Sequence, residues 1–135
     1  MYYFKYQDLR FFCLLLKTYP EYLNIIFFLK EKDALLEWTK LIEELTGIKA
    51  KQGSTDNIVF AKNVVFTLQL YHNQDFLGKR ANVVIIDDNF SAQTINQVFR
   101  PLCASNPIQL CYLCEDSAEY FKKMHKRVGE VCKND

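Results

Sequence analysis

The sequence predicts an α/β domain in which a mostly parallel central sheet lies between layers of helices, as a three-layer sandwich. Helical and strand patterns alternate along the chain, and the strand candidates are apolar on both faces, which is typical of a covered parallel sheet. No linker rich in Gly, Pro or Ser interrupts the chain. At 135 residues it is long enough for one core, so we expect residues 1–135 to form a single domain.

The first third of the chain predicts a helix, a strand and a second helix. Residues 7–18 carry apolar side chains at helical spacing and stop before Pro20. Residues 23–29, LNIIFFL, form a short apolar run that predicts a buried strand. In residues 31–45 the apolar side chains share one helical face, and Gly47 is placed to end this helix.

The middle of the chain predicts a loop, a strand pair and the central strand of the sheet. Residues 51–56 are polar and contain Gly53, which favours a loop. Residues 57–70, NIVFAKNVVFTLQL, have the pattern of two short strands in a hairpin-like pair. Residues 82–86, NVVII, predict the most buried strand.

The last third predicts a capped helix, a strand and a final helix. Residues 91–102 have apolar side chains at helical spacing, with Ser91 at the head as an N-cap. Residues 108–113 predict another strand. The final helix begins at Asp116 or Ser117 and contains the basic segment KKMHKR.

Two carboxylates, Asp87 and Asp88, directly follow the central strand, at the edge where parallel sheets bind ligands. Two buried negative charges are costly unless a cation compensates them. Magnesium ions prefer such carboxylate ligands, so the pair predicts a magnesium site. The structural alternative is that one aspartate caps the following helix, whose N-terminus favours negative charge.

The order of these elements resembles a known family. The segments LNIIFFLK, NIVFAKNVVF, QDFLGKRANVVIIDDN and IQLCYLCE are similar to the middle of the ATPase core of viral DNA-packaging motors (terminase large subunits) and helicase-like P-loop ATPases. By this resemblance, Asp87 matches the magnesium-associated Walker B aspartate, and Asp88 matches the catalytic glutamate that orients water. Cys114 and Glu115 lie where a coupling motif follows the next strand.

The sequence departs from this family at the residues that hold phosphate. No G-x-x-x-x-G-K-[ST] motif occurs, so no glycine-rich loop cradles a triphosphate. Asp88 is one methylene shorter than the glutamate it replaces, which would misplace a catalytic base. By the resemblance, the chain begins within the helix that follows the missing loop. The family fold is therefore expected in truncated form, P-loop-like but without independent ATP hydrolysis.

Three functions are compatible with these features. The first is a viral, packaging- or helicase-derived binding or assembly module, or one piece of a split ATPase. The second is an enzyme, a magnesium-dependent phosphotransferase or nuclease that uses Asp87 and Asp88, with a third ligand from Asp75, Glu115 or Asp116. The third is a structural protein-interaction domain in which the acidic pair only caps a helix.

The charge balance does not favour a general nucleic-acid binder, because the formal net charge is +1. The candidates for phosphate contact are the basic residues near the end of the chain, Lys122, Lys123, Lys126 and Arg127. We expect a protein partner or a homo-oligomer, with nucleic acid as the alternative partner. The aromatic N-terminus, which includes Tyr2 and Tyr3, fits core packing or a protein interface.

The cysteines and the apolar runs indicate which cofactors and which cell compartment to expect. Five scattered cysteines without a secretory signal indicate free thiols and an intracellular protein, in the cytoplasm or nucleus of a host cell if viral. Cys111 and Cys114 lie three apart on a predicted strand, a poor geometry for one metal, so neither zinc nor haem is expected. The apolar runs are too short for a membrane span.

Overall fold

A mixed β-sheet with helices packed on both faces forms the domain, in a computed structural model. The structure describes residues 2–3, 9–54, 57–61, 63–72, 80–86, 90–102, 111–112 and 126–127. The strands are β1 (Tyr2–Tyr3), β2 (Leu23–Leu29), β3 (Lys51–Ser54), β4 (Asn57–Ala61), β5 (Val64–Leu70), β6 (Val83–Ile86), β7 (Cys111–Tyr112) and β8 (Lys126–Arg127). The helices are α1 (Leu9–Thr18), α2 (Lys32–Thr46) and α3, which comprises Ala92–Thr94, the π-helical Ile95–Phe99 and Arg100–Leu102.

The strands lie in the order β3-β4-β5-β2-β6-β7-β1-β8. All neighbours from β5 to β8 are parallel, whereas β4 is antiparallel to both β3 and β5. The expected α/β class with a mostly parallel sheet is therefore confirmed, as is the hairpin-like pair β4–β5. The central strand lies where it was predicted, since β2 and β6 occupy the two middle positions.

Each face of the sheet contributes to its own core cluster. Ile25 and Phe27 of β2 point to the side of α1 and α2, where Leu16, Leu35 and other buried side chains meet them. The next residue along the strand points the other way, since Phe28 packs with Ile95, Phe99 and Leu102 of α3. Helices therefore cover both faces of β6 and of the carboxyl half of β2, which explains why these parts of the strands lack a polar face.

The ends of α2 and α3 agree with the predicted signals. Gly47 adopts φ 71° at the C-cap of α2 and its N–H bonds to the Glu43 carbonyl, a left-handed position that favours glycine. Ser91 caps α3 through its hydroxyl. The π-helical segment was not predicted. It precedes Pro101, which has no N–H to donate, and the Arg100 N–H bonds five residues back to the Ile95 carbonyl.

Three expectations were wrong. Residues 51–54, predicted as a loop, form the edge strand β3, which pairs with β4. The polar side chains of β3 lack the apolar pattern from which a strand is predicted. Lys126 and Arg127, predicted in a helix, form β8 beside β1. The chain does not start within a helix, because β1 precedes α1. The pairings of β1 and β8 are non-local, so local periodicity could not reveal them.

Candidate functional site at the carboxyl edge

The strand order makes the carboxyl ends of β2 and β6 a topological switch point, beyond which a crevice is expected. From β2 the chain runs through α2, β3 and β4 to β5, and from β6 it runs through α3 to β7. These connections lead to opposite sides, because β5 and β7 flank the β2–β6 pair. They also use opposite faces of the sheet, since α2 and α3 belong to different core clusters. Parallel sheets bind ligands beyond the carboxyl ends of such a strand pair.

Strand β6 ends at this edge of the sheet, directly before the predicted acidic pair in the sequence. All four of its residues are buried, with Val83 and Ile85 in one core cluster and Val84 and Ile86 in the other. Ile86 is the last residue of β6 and pairs in register with Phe28 of β2. Asp87 and Asp88 follow Ile86 in the sequence but lie outside the described residues, so the magnesium site stays a prediction.

Four aromatic rings pack beside the carboxyl ends of β2, β5 and β6. Phe28 and Phe99 have ring centroids 4.7 Å apart, and Phe90 meets Phe99 edge-to-face at 4.8 Å. Tyr71, the first residue after β5, lies 5.5 Å from Phe90. Edge-to-face packing of this kind orients the rings. It therefore fixes Phe90, just before α3, against the other rings.

A lysine completes this edge. Lys30 directly follows β2, and its Nζ lies 4.6 Å from the centroid of the Phe90 ring, a cation–π contact. Lys30 therefore reaches from the end of β2 to the segment that follows β6. Lys30 thus brings a positive charge beside Phe90, which comes two residues after Asp88 in the sequence.

The N-terminus of α3 has a cap that does not depend on the aspartates. The Ser91 hydroxyl accepts a hydrogen bond from the Thr94 N–H at 3.1 Å and lies 2.9 Å from the Thr94 hydroxyl. Ser91 is thus the N-cap. Asp87 and Asp88 therefore do not hold the N-cap position, but their charge could still favour the helix N-terminus, so that structural alternative stays a prediction.

The other predicted sites remain less defined. Lys126 and Arg127 belong to β8 rather than to a basic helix, and Lys122 and Lys123 lie outside the described residues. The alternative third ligands Asp75, Glu115 and Asp116, and the Cys114 of the coupling motif, also lie outside them. Within the described part of the chain, no group of three or more His, Cys, Asp or Glu side chains could hold a metal ion.

Sequence reasoning missed Lys30 and the aromatic cluster. The available signal was the same one that selected Asp87, because Lys30 and Tyr71 also directly follow buried strands of the parallel sheet.

No helix in the described ranges has the length and apolar character needed to cross a membrane.

No protein-family model, curated protein or solved structure matches this chain.

Proposed function

We propose that this chain is a P-loop-like module, related to viral packaging or helicase-type ATPases, that binds a cation at its acidic edge without hydrolysing ATP alone. It would act as a binding or assembly module, or as one piece of a split ATPase. The observation that carries the proposal is the position of β6, a fully buried strand at the topological switch point whose next two residues are Asp87 and Asp88.

The start of the chain supports the proposal. A phosphate-binding loop joins a strand to the helix that follows it, and β1 and α1 form such a strand–helix unit. Only β7 separates β1 from β6, so the carboxyl ends of β1 and β6 lie about 10 Å apart along one edge. A triphosphate with its magnesium ion could span that distance. The residues between β1 and α1 read FKYQD, without glycine, so the phosphate cradle is missing.

The cap of α3 also supports the proposal. Because Ser91 is the N-cap and its hydroxyl accepts from the Thr94 N–H, the acidic pair is not needed at the N-cap position. A cation is then the simplest compensation for two adjacent carboxylates beyond a buried strand. We infer magnesium as the ion, held by Asp87 and Asp88, with water or a partner providing its remaining ligands.

Thermal unfolding with and without magnesium tests the cation site. We expect magnesium to raise the melting temperature of the wild-type protein and to have no such effect on Asp87→Asn. Glu37→Gln removes one negative charge from the exposed side of α2 and should retain the wild-type response. Equal magnesium responses in wild type and Asp87→Asn would contradict the proposed site.

A turnover assay separates the proposed module from an enzyme. The purified chain should release no phosphate from ATP and should not cleave DNA in the presence of magnesium. Activity that disappears in Asp87→Asn would replace the proposal with the magnesium-dependent phosphotransferase or nuclease.

The mass in solution tests the expected partner. We propose self-association or a protein partner because large apolar side chains are exposed on the helical side, including Leu14 at 57% and Leu36 at 50%. A monomeric mass across the accessible concentration range would contradict self-association and leave a different protein as the expected partner.

A further inference from the structure

A groove lies on the opposite face of the sheet from α1 and α2, over β4, β5 and β2. Its volume is about 350 Å³. Val59, Thr67 and Ile26 form one cross-strand row of its floor, because Thr67 pairs in register with both of the others. Val65 extends the apolar floor. The floor therefore offers a flat surface of branched side chains with one hydroxyl at its centre.

One end of the groove is built from two amides. Asn57 and Gln69 are register partners, and the Asn57 Nδ2 donates to the Gln69 Oε1 at 3.2 Å. The Gln69 Nε2 in turn donates to the Leu70 carbonyl at 3.0 Å, which fixes the orientation of both amides. Gln69 is only 8% exposed. This end is a preorganised hydrogen-bonding wall rather than a set of mobile surface groups.

The other end combines an aromatic ring and a positive charge. Tyr22 precedes β2 and is 70% exposed, an unusual position for a large aromatic side chain. The Asn24 Nδ2 donates to the Arg80 carbonyl at 2.9 Å and so holds the Arg80 backbone beside β2. Arg80 is the one charged side chain among the described residues that line the groove.

The size of the groove decides what kind of occupant fits. Three strands span about 10 Å across the sheet, and the rows from Val65 to Gln69 cover about 13 Å along it. An α-helix is itself about 10 Å wide, so this footprint would accept no more than two or three turns. The volume instead falls at the lower end of the range for small-molecule sites, about 300 to 1,000 Å³.

We propose that this groove binds a mononucleotide. The base would lie on the apolar floor over Val65 and Ile26, with its hydrogen-bonding edge towards the Thr67 hydroxyl and with Tyr22 stacked on it. The phosphate would meet the Arg80 guanidinium, which suits phosphate geometry. The end of the groove with Tyr22 and Arg80 lies near the amino ends of β2 and β6. Only the amide wall reaches the register row of Phe28 and Ile86, so the proposed phosphate position is separate from the acidic carboxyl edge.

Calorimetric titration with adenosine 5′-monophosphate tests the site. Thr67→Val keeps the shape and removes the hydroxyl, so it should weaken binding by about fivefold. Tyr22→Leu removes the stacking ring from an exposed position and should weaken binding by about tenfold. Arg80→Gln should weaken binding of the monophosphate by about tenfold while leaving binding of adenosine unchanged.

Three controls make the result decisive. Thr18→Val makes the same chemical change on α1 and should bind like wild type, as should Asp87→Asn at the carboxyl edge. Ribose 5-phosphate, which lacks the base, should bind much more weakly than the monophosphate. Failure of the monophosphate to bind, or affinities within about twofold of wild type in Thr67→Val and Tyr22→Leu, would overturn the proposal.

Self-association through the groove would overturn the proposed mononucleotide site in a different way. If Tyr22→Leu converts a wild-type dimer to a monomer and no variant changes nucleotide affinity, the groove is an interface between two copies of the chain. None of these outcomes depends on magnesium binding at the acidic edge.

Discussion

Lys30 and Phe90 connect the ends of the two middle strands, with the Lys30 Nζ 4.6 Å from the Phe90 ring centroid. Lys30 follows β2, and Phe90 lies between β6 and α3. The register of β2 and β6 pairs Phe28 with Ile86, so in sequence Lys30 and Asp88 each come two residues after that pair. Lys30 is therefore the described cation best placed to interact with the acidic pair.

We predict a favourable coupling between Lys30 and Asp88 in the absence of magnesium. Lys30→Gln should lower the free energy of unfolding more in the wild-type background than in Asp88→Asn, by about 0.5 to 1 kcal/mol. Urea unfolding of the two single variants and the double variant measures this coupling.

Two controls separate the charge effect from other losses at this position. Phe90→Leu removes the ring that Lys30 contacts but neither of the two charges. The coupling between Lys30 and Asp88 should therefore persist in the Phe90→Leu background. Lys40→Gln removes a positive charge that lies about 12 Å along α2 from Lys32, the first residue of the helix, and should show no coupling to Asp88→Asn. Equal losses for Lys30→Gln in both backgrounds would show that Lys30 and Asp88 do not interact.

Removal of the Ser91 hydroxyl should destabilise the protein. Ser91→Ala leaves the Thr94 N–H without its acceptor and should cost about 1 kcal/mol, whereas Ser91→Asp, which can still cap, should cost much less. Urea unfolding measures both. If Ser91→Ala has wild-type stability, another residue caps α3 and the capping role of the aspartates has to be reconsidered.

Substitution of Gly47 should report backbone strain alone. A Cβ at this position would meet no atom within 4 Å, yet φ is 71°. Gly47→Ala should therefore cost about 1 kcal/mol, and Gly47→Asn should cost less, since asparagine tolerates the left-handed region. Melting temperatures provide the comparison. A fully tolerated alanine would mean that α2 ends in a different conformation.

The Cys13 thiol should be unreactive in the folded protein. Cys13 is buried, and burial raises its pKa from 9.0 to about 11. Alkylation followed by peptide mapping at pH 8 should label Cys13 only when urea unfolds the protein. Labelling at the same rate without urea would contradict its burial.

The same pKa shift predicts how Cys13 contributes to the pH dependence of stability. The folded state favours the neutral thiol, so this contribution is complete below pH 9 and is lost as the pH rises from about 9 through about 11. The difference in unfolding free energy between wild type and Cys13→Ala should therefore decrease across that range. A difference that is independent of pH would contradict the raised pKa.

Elements specified by local patterns were predictable from the sequence. The bounds of β2 match the apolar run 23–29, and Gly47 ends α2 as its position indicates. The strand before the acidic pair was found because only a covered parallel strand is apolar on both faces.

Elements that depend on distant partners were not predictable. Strand β3 has an exposed, polar sequence with Lys51 and a register shift between Gln52 and Ser54, features by which edge strands avoid further pairing. Lys126 and Arg127 are strand residues only because Tyr2 and Tyr3 pair with them. The Lys30–Phe90 contact likewise required the order of the strands, which the sequence did not provide.

Paramagnetic broadening by manganese, a substitute for magnesium, shows whether the acidic pair binds a cation. Substoichiometric Mn²⁺ in a ¹⁵N-labelled sample should broaden the amide signals of Lys30, Ile86 and Phe90, at the carboxyl ends of β2 and β6, before those of Asn24 and Val83 at the amino ends. In Asp87→Asn this selective broadening should disappear. Broadening that is centred elsewhere, or that is unchanged in Asp87→Asn, would show that the acidic pair does not bind a cation.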